Sequence, residues 1–173
     1  MTILRLSIAI ISCLVAVSCH AADRPDGKNS VQRKLTCGDA ELVATTDFVS
    51  LDEPDVIVWT GQSIVLTNSQ STILNKKLRL NGKLFKQPFY KKGPVLDSVV
   101  SSWGCIQPKS GRSYIYLLNT CTPSTLRPKC TSENSESESI FDAAGEKISP
   151  RSYKHLGIDE VLSTQLPLQG VVD

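Results

Sequence analysis

Short apolar or β-branched segments alternate with turn residues along most of this chain. The segments have the length of strands, and the residues between them (Gly, Pro, Asn, Asp) are those that turns favour. They cover residues 35–46, 56–60, 63–68, 72–80, 84–90, 95–106, 113–121 and 138–141. This pattern predicts an all-β fold of mainly antiparallel sheet, either a small sandwich or a barrel. The pattern alone does not choose between these two.

The strongest local signal predicts a hairpin around residues 81–82, which read Asn-Gly. Asn-Gly between two alternating segments favours a type I′ turn, because that turn needs positive φ at both central residues. In the resulting register Leu78 faces Phe85, and Lys77 faces Lys86. Two lysines directly opposite each other destabilise a strand pair. Such a pair is either a tolerated surface accident or the mark of an anionic partner.

Two further connections are predicted from turn residues. A second hairpin should join residues 99–106 to residues 114–118, which are strongly β-prone. The sequence at 142–145 (Asp-Ala-Ala-Gly) is typical of a turn, and it would join residues 140–141 to a last strand at 147–148.

Helical pattern is confined to the C-terminal end. Residues 158–166 carry apolar residues at helical spacing, with acids near the start and Pro167 at the end. We therefore predict at most one short helix there. Residues 132–138 are acidic and low in complexity, and they are predicted to be an exposed loop. Residues 34–173 are expected to form a single β-rich domain.

The N-terminal end has the pattern of a secretory signal peptide. Residues 4–17 are almost wholly apolar, Arg5 supplies the basic start, and residues 19–21 resemble a cleavage site. Cleavage after Ala21 would leave about 150 residues, a normal size for one domain. Residues 22–33 are polar and are predicted to be a flexible leader. We expect an exported protein, periplasmic or extracellular, without a transmembrane span.

A second interpretation of this end involves Cys19. Residues 16–19 resemble the lipobox of bacterial lipoproteins, in which the cysteine becomes a lipidated N-terminus. That motif usually has Leu three residues before the cysteine, where this chain has Ala16. Cleavage near Ala21 or Ala22 is favoured, and lipid anchoring at Cys19 is the alternative.

Cysteine usage predicts two disulfides. Removal of the signal peptide leaves four of the six cysteines, and an even number in an exported chain indicates pairing. Three pairings are possible. We favour Cys37 with Cys105 as the long staple, and Cys121 with Cys130 closing the short loop 122–129.

Catalytic and metal-binding patterns are scarce. His155 is the only histidine left after cleavage, so a nucleophile–His–acid triad would depend on it, with Asp159 to orient it. The cysteines lack the short pairs of a zinc site, and no nucleophile elbow, P-loop, dinucleotide or EF-hand motif occurs. Paired carboxylates remain an alternative; the candidates are Asp39, Glu41, Asp52, Glu53, Asp55 and Asp97. We expect neither metal nor cofactor.

Charge points to one surface. The net charge is only +2, from 19 Lys and Arg against 17 Asp and Glu, which argues against a general nucleic-acid binder. Residues 76–92, however, contain seven cations and no acid, with aromatics interleaved. Either lysines protect an edge hairpin from aggregation, or this surface binds an anionic partner. The candidate binding residues are Lys77, Arg79, Lys83, Phe85, Lys86, Phe89 and Tyr90.

These features favour a non-enzymatic exported binding protein. Our hypothesis is an inhibitor or immunity protein that neutralises an enzyme acting on the cell envelope, through a partner surface or cleft that is acidic. The partner could instead be an anionic cell-wall polymer or lipid headgroups. The alternatives are an envelope-associated assembly lipoprotein and a carboxylate-dependent hydrolase of cell-wall glycan.

Overall fold

The chain folds into antiparallel β-sheets. The computed structural model describes residues 28–51, 57–68, 71–88, 90–109, 111–121, 130–131, 133–164 and 166–172. The strands within these ranges are β1 (Lys28–Cys37), β2 (Ala40–Ser50), β3 (Ile57–Asn68), β4 (Ser71–Lys77), β5 (Leu84–Lys86), β6 (Pro94–Leu96), β7 (Ser98–Ile106), β8 (Tyr114–Cys121), β9 (Glu136–Phe141) and β10 (Gln169–Gly170). One sheet has the order β1-β2-β3-β4, another the order β10-β7-β8-β9, and β5 pairs with β6. The predicted all-β, mainly antiparallel fold is confirmed.

The two larger sheets share one apolar core, which makes the fold a sandwich. Leu42 and Ile64 of the first sheet pack in the same cluster as Trp103 and Leu117 of the second, and all four are at most 1% exposed. In β2 buried and partly exposed positions alternate from Ala40 to Asp47, as expected for a strand with one face on a core. The alternation of apolar and polar residues in the sequence thus identifies the side chains that fill the core of the sandwich.

Both predicted disulfides are present. Cys37 at the end of β1 bonds Cys105 in β7, with 5.2 Å between the Cα atoms, so this bond ties one sheet to the other. Cys121 bonds Cys130, with a Cα–Cα distance of 6.1 Å. The predicted pairing is therefore confirmed, although loop 122–129 itself lies outside the described residues.

A short helical segment covers the outer face of the second sheet. It begins as a 3₁₀ turn at Pro150–Ser152 and continues as α1 (Tyr153–Leu156) and α2 (Ile158–Leu162), with Gly157 at φ +70° between the two. Tyr153 and Ile158 pack in a second apolar cluster together with residues of β7, β8 and β9. The predicted short C-terminal helix is confirmed, but it ends at Leu162 rather than at residue 166.

The limits of two predicted segments differ from the structure. β1 already begins at Lys28, so residues 28–33 of the predicted leader form a strand, because their backbone pairs with β2 up to Val49. Likewise Glu136 and Ser137, predicted as loop, belong to β9, which begins two residues before the predicted strand 138–141; they are exposed, but their backbone pairs with β8. Several predictions lie outside the described residues: the signal peptide, Cys19, the leader up to residue 27, and Asp52, Glu53, Asp55 and Phe89.

The predicted Asn-Gly hairpin is wrong. Lys77 pairs with Val65 of β3, and Lys86 pairs with Pro94 of β6. The physical reason is that Leu78 continues along the first sheet, where its N–H donates to the carbonyl of Ile64 at 2.9 Å. This arrangement buries Leu78 in the core and avoids the opposed lysines of the predicted register.

The other two predicted connections are confirmed. β7 pairs with β8 from Ile106↔Tyr114 onwards, which is the second hairpin. The turn at 142–145 has Gly145 at φ +73°, and Phe141 pairs with Lys147 beyond it.

The long disulfide should contribute more to stability than the short one. Replacing Cys37 and Cys105 by Ala is expected to lower the free energy of unfolding by about 4 kcal/mol, against about 3 kcal/mol for Cys121 and Cys130, because the longer closed loop restricts the unfolded chain more. Urea denaturation of the two double variants measures the difference. A larger loss for the short loop would contradict this account.

Tyr116 makes stability sensitive to alkaline pH. Burial, the charge of Glu138 and a hydrogen bond to Glu138 raise the pKa of Tyr116 to about 12, and burial also raises the pKa of Tyr153. Because the unfolded chain then loses its tyrosine protons first, the contribution of Tyr116 to stability is fully present below about pH 10 and is lost as the pH rises from about 10 through 12. Tyr116→Phe should flatten this fall in urea titrations. An equally steep fall in the variant would show that Tyr116 is not responsible.

Candidate functional site

A groove of about 600 Å³ lies where the connection between β4 and β5 passes the turn after β9. Residues 76–77, 79–83 and 145–147 line it, together with Phe141. The sequence analysis singled out residues 76–92 for their cations, and residues 76–77 and 79–83 of that segment form the first wall. The structure adds a second wall, residues 145–147, which lie more than 60 positions further along the chain.

The first wall presents polar side chains because its apolar side chains pack into the core. Leu78 is 2% exposed, and Leu80 packs partly buried against the same cluster. Because side chains of an extended chain alternate in direction, the intervening residues face outwards. Lys77, Arg79 and Lys83 are accordingly exposed.

Gly82 lets this wall approach the second sheet. A Cβ atom on Gly82 would lie 2.4 Å from the carbonyl oxygen of Ser98, closer than real Cβ contacts come. Lys83 is held at the same place, since its N–H donates to Asp97 Oδ1 at 2.7 Å and its carbonyl accepts from the N–H of Asp97 at 2.9 Å. The glycine of the Asn-Gly pair is therefore used for a close backbone approach, and not for a turn.

The second wall is a turn that is fixed from within. Asp142 Oδ1 accepts hydrogen bonds from the N–H groups of Ala144 at 2.9 Å and Glu146 at 2.8 Å. Lys76 binds this turn to the first wall, since its Nζ donates to the carbonyl of Ala144 at 3.1 Å and forms an ion pair with Glu146. Both walls are thus held in place before any ligand arrives.

The charges of the groove are unbalanced. Among the described residues that line it, five are cations and one, Glu146, is a carboxylate, which is already paired with Lys76. The other four are Lys77, Arg79, Lys83 and Lys147, and no salt bridge in the described part of the chain involves them. A rigid concave surface with this excess of cations favours an anionic ligand.

The structure divides the predicted binding residues into two groups. Lys77, Arg79 and Lys83 line the groove, whereas Lys86 is exposed on β5 outside it. Phe85 and Tyr90 pack in a third apolar cluster, where Tyr90 is only 4% exposed. The aromatics therefore anchor the two-stranded sheet to Val49 and Val58 rather than forming part of the groove.

Lys147 is a groove residue that the sequence analysis missed. It lies alone after the predicted turn, far along the chain from the other cations. The one signal that bears on it is the turn at 142–145, which brings Lys147 back beside Phe141. That Lys147 lies opposite the first wall follows from the packing of Gly145 against Leu78. This contact joins distant parts of the chain, so no local sequence pattern reveals it.

A second cavity of about 590 Å³ lies on the other side of the same turn. Its lining mixes Asp39, Arg112 and Ser113 with the apolar side chains of Ile148 and Leu156.

The structure describes three of the six carboxylate candidates, and these three have separate surroundings. Asp39 lines the second cavity, Glu41 forms an ion pair with Lys34 at 2.7 Å, and Asp97 holds Lys83. His155 is exposed on α1. Within the described ranges no group of His, Cys, Asp and Glu is arranged to hold a metal ion.

Comparison of the chain with protein-family models, with curated proteins and with solved structures finds no match. Function must therefore be inferred from the chemistry of the groove and of its surroundings.

The close approach at Gly82 can be tested directly. Gly82→Ala should lower the free energy of unfolding by about 1–3 kcal/mol, because the new methyl group meets a backbone oxygen that cannot rotate away. Its exposed neighbour supplies the control, since Asn81→Ala should change stability by less than about 0.5 kcal/mol. Equal effects of the two substitutions in urea denaturation would rule out the close approach.

Proposed function

We propose that this protein is an exported, non-enzymatic binding protein that neutralises an enzyme acting on the cell envelope, as an inhibitor or an immunity protein. The groove would bind an acidic surface of that enzyme. The observation that carries the proposal is the excess of cations on two walls that are already held in place. Opposite charges across an interface accelerate encounter and select the partner.

Enzymes that act on cell-wall glycan are suitable targets because their active sites carry carboxylates. Most glycoside hydrolases place two Asp or Glu side chains beside the scissile bond, so their clefts are acidic. A partner that brings four exposed cations to the rim of such a cleft would be attracted to it and would obstruct substrate entry. Glycan hydrolysis also takes place outside the cytoplasm, where this protein is expected.

One observation supports export. The chain forms two disulfides, which persist in oxidising compartments such as the periplasm and the extracellular space. Among the described residues no helix is long and apolar enough to span a membrane.

Rigidity supports a role in binding. The backbone of Lys83 is fixed by two hydrogen bonds to Asp97, and the opposite wall is fixed by Asp142 and Lys76. A surface that is ordered before it binds loses less conformational entropy in the complex, and this raises its affinity. Exposed Lys and Arg heads on such a scaffold suit capture of a protein surface.

Charge reversal tests the proposal. The mature, oxidised protein is used to retain partners from envelope extract of its own organism and of neighbouring organisms, and the eluate is assayed for glycan hydrolysis. Replacing Lys77, Arg79 and Lys83 by Glu should abolish retention and inhibition of a hydrolase, because the groove then repels an acidic surface. The matched control reverses Lys28, Arg151 and Lys154, which are exposed elsewhere and give the same change in net charge.

The two variants separate a specific surface from general charge. Retention lost in both would indicate non-specific attraction, and retention kept in both would exclude the groove. Capture of glycan or lipid without any hydrolase would also overturn the proposal. Raising the salt concentration should weaken retention by the native protein, since exposed charges are screened.

A further inference from the structure

We infer that the groove recognises an extended acidic peptide segment whose carboxylates occur at every second residue. The inference rests on the proposed function, since the segment would belong to the protein partner, and it specifies the chemistry of that partner. It follows from three properties of the groove: the spacing of the cations on the first wall, the backbone groups of that wall that are available for hydrogen bonds, and the apolar lining.

The cations follow the repeat of an extended chain. Between Lys77 and Lys83 the residues alternate between exposed and at least partly buried positions, and the exposed ones are Lys77, Arg79, Asn81 and Lys83. Alternate side chains of an extended chain lie about 7 Å apart on one side. An extended peptide laid along this wall has the same repeat, so its alternate side chains would meet one outward residue after another.

The outward residues are suited to carboxylates in particular. The guanidinium of Arg79 matches the two oxygens of a carboxylate in a bidentate pair. Lys77 and Lys83 supply point charges on either side, and the amide of Asn81 donates hydrogen bonds in the place between Arg79 and Lys83. Lys147 lies on the opposite wall. It adds to the electrostatic attraction of an acidic peptide but is not one of the regularly spaced residues of the first wall.

The backbone of this wall is available to a peptide. Leu78 donates to Ile64 at one end, and Lys83 exchanges hydrogen bonds with Asp97 at the other. Between these anchors no backbone hydrogen bond joins residues 79–82 to any other described residue. A peptide strand carries its own N–H and C=O groups and can pair with such a segment, as in strand addition to a sheet edge.

The lining of the groove favours a peptide over a glycan or a lipid surface. Leu80, which is only partly buried, contributes apolar surface to it, whereas Phe141 lies at its base with only 4% of its surface exposed. In an extended peptide the residues between the acids turn the other way, and small or apolar side chains there would contact this surface. A glycan offers no backbone donors at that spacing, and a membrane is too flat to enter a concave site.

The test compares two peptides of identical composition. Fluorescently labelled (Glu-Ser)₄ and Glu₄Ser₄ have the same charge and length, and they differ only in the spacing of the carboxylates. The alternating peptide should bind the native protein about tenfold more tightly in anisotropy titrations, because the block peptide cannot place every carboxylate on a partner. (Gln-Ser)₄ is the uncharged control and should not bind.

A variant links this preference to the wall. Arg79→Lys keeps the charge but removes the bidentate geometry, so it should reduce the preference for the alternating peptide while the block peptide binds nearly as before. The exposed Arg151→Lys is the matched control and should leave both affinities unchanged.

Three results would overturn the inference: equal affinity for the two charged peptides, tighter binding of a heparin octasaccharide than of the alternating peptide, or tighter binding of phosphatidylglycerol vesicles. The outcome is separable from that of the proposed function. A hydrolase retained through the groove together with equal peptide affinities would refute the spacing rule alone. A clear peptide preference without any retained hydrolase would refute the inhibitor role alone.

Discussion

The apolar core shared by the two sheets is the constraint on which the rest of the structure depends. Trp103 is fully buried and belongs to a cluster to which both sheets contribute. Leu78 and Leu80 join this cluster from the segment that leaves the first sheet. Since these two side chains must point inwards, the charged residues between and beside them must point outwards. The row of cations in the groove is thus a consequence of how the core is filled.

Most of the fold could be predicted from the sequence, because its signals are local. Strand-length alternation, turn residues and cysteine spacing indicated the sheets, the β7–β8 hairpin and both disulfides, including the bond between Cys37 and Cys105. The exception is the Asn-Gly hairpin, where a strong local preference lost to burial of Leu78 against Ile64. Gly82 is needed there for close packing against Ser98, and this is a contact between distant segments.

Only one of the two walls of the candidate site could be predicted from the sequence. The cluster of cations between residues 76 and 92 was visible in the sequence, but the sequence does not show which of its members share a surface. Tyr90 illustrates the difficulty, since an aromatic among lysines suggests a binding surface and in fact fills a cluster under the two-stranded sheet. The opposite wall, with Lys147, depends on a turn that is folded back by its own hydrogen bonds and pinned by Lys76.

The bond between Cys37 and Cys105 also bears on the order in which the parts of the chain can fold. Its two cysteines are separated by 68 positions, and the strands that complete the second sheet lie still later in the chain. The core therefore cannot close while the chain is only partly synthesised, and folds dominated by such distant pairings form slowly. In a chain that stays open until its last strands arrive, the bond between Cys37 and Cys105 forms late and fixes the two sheets together after they have met.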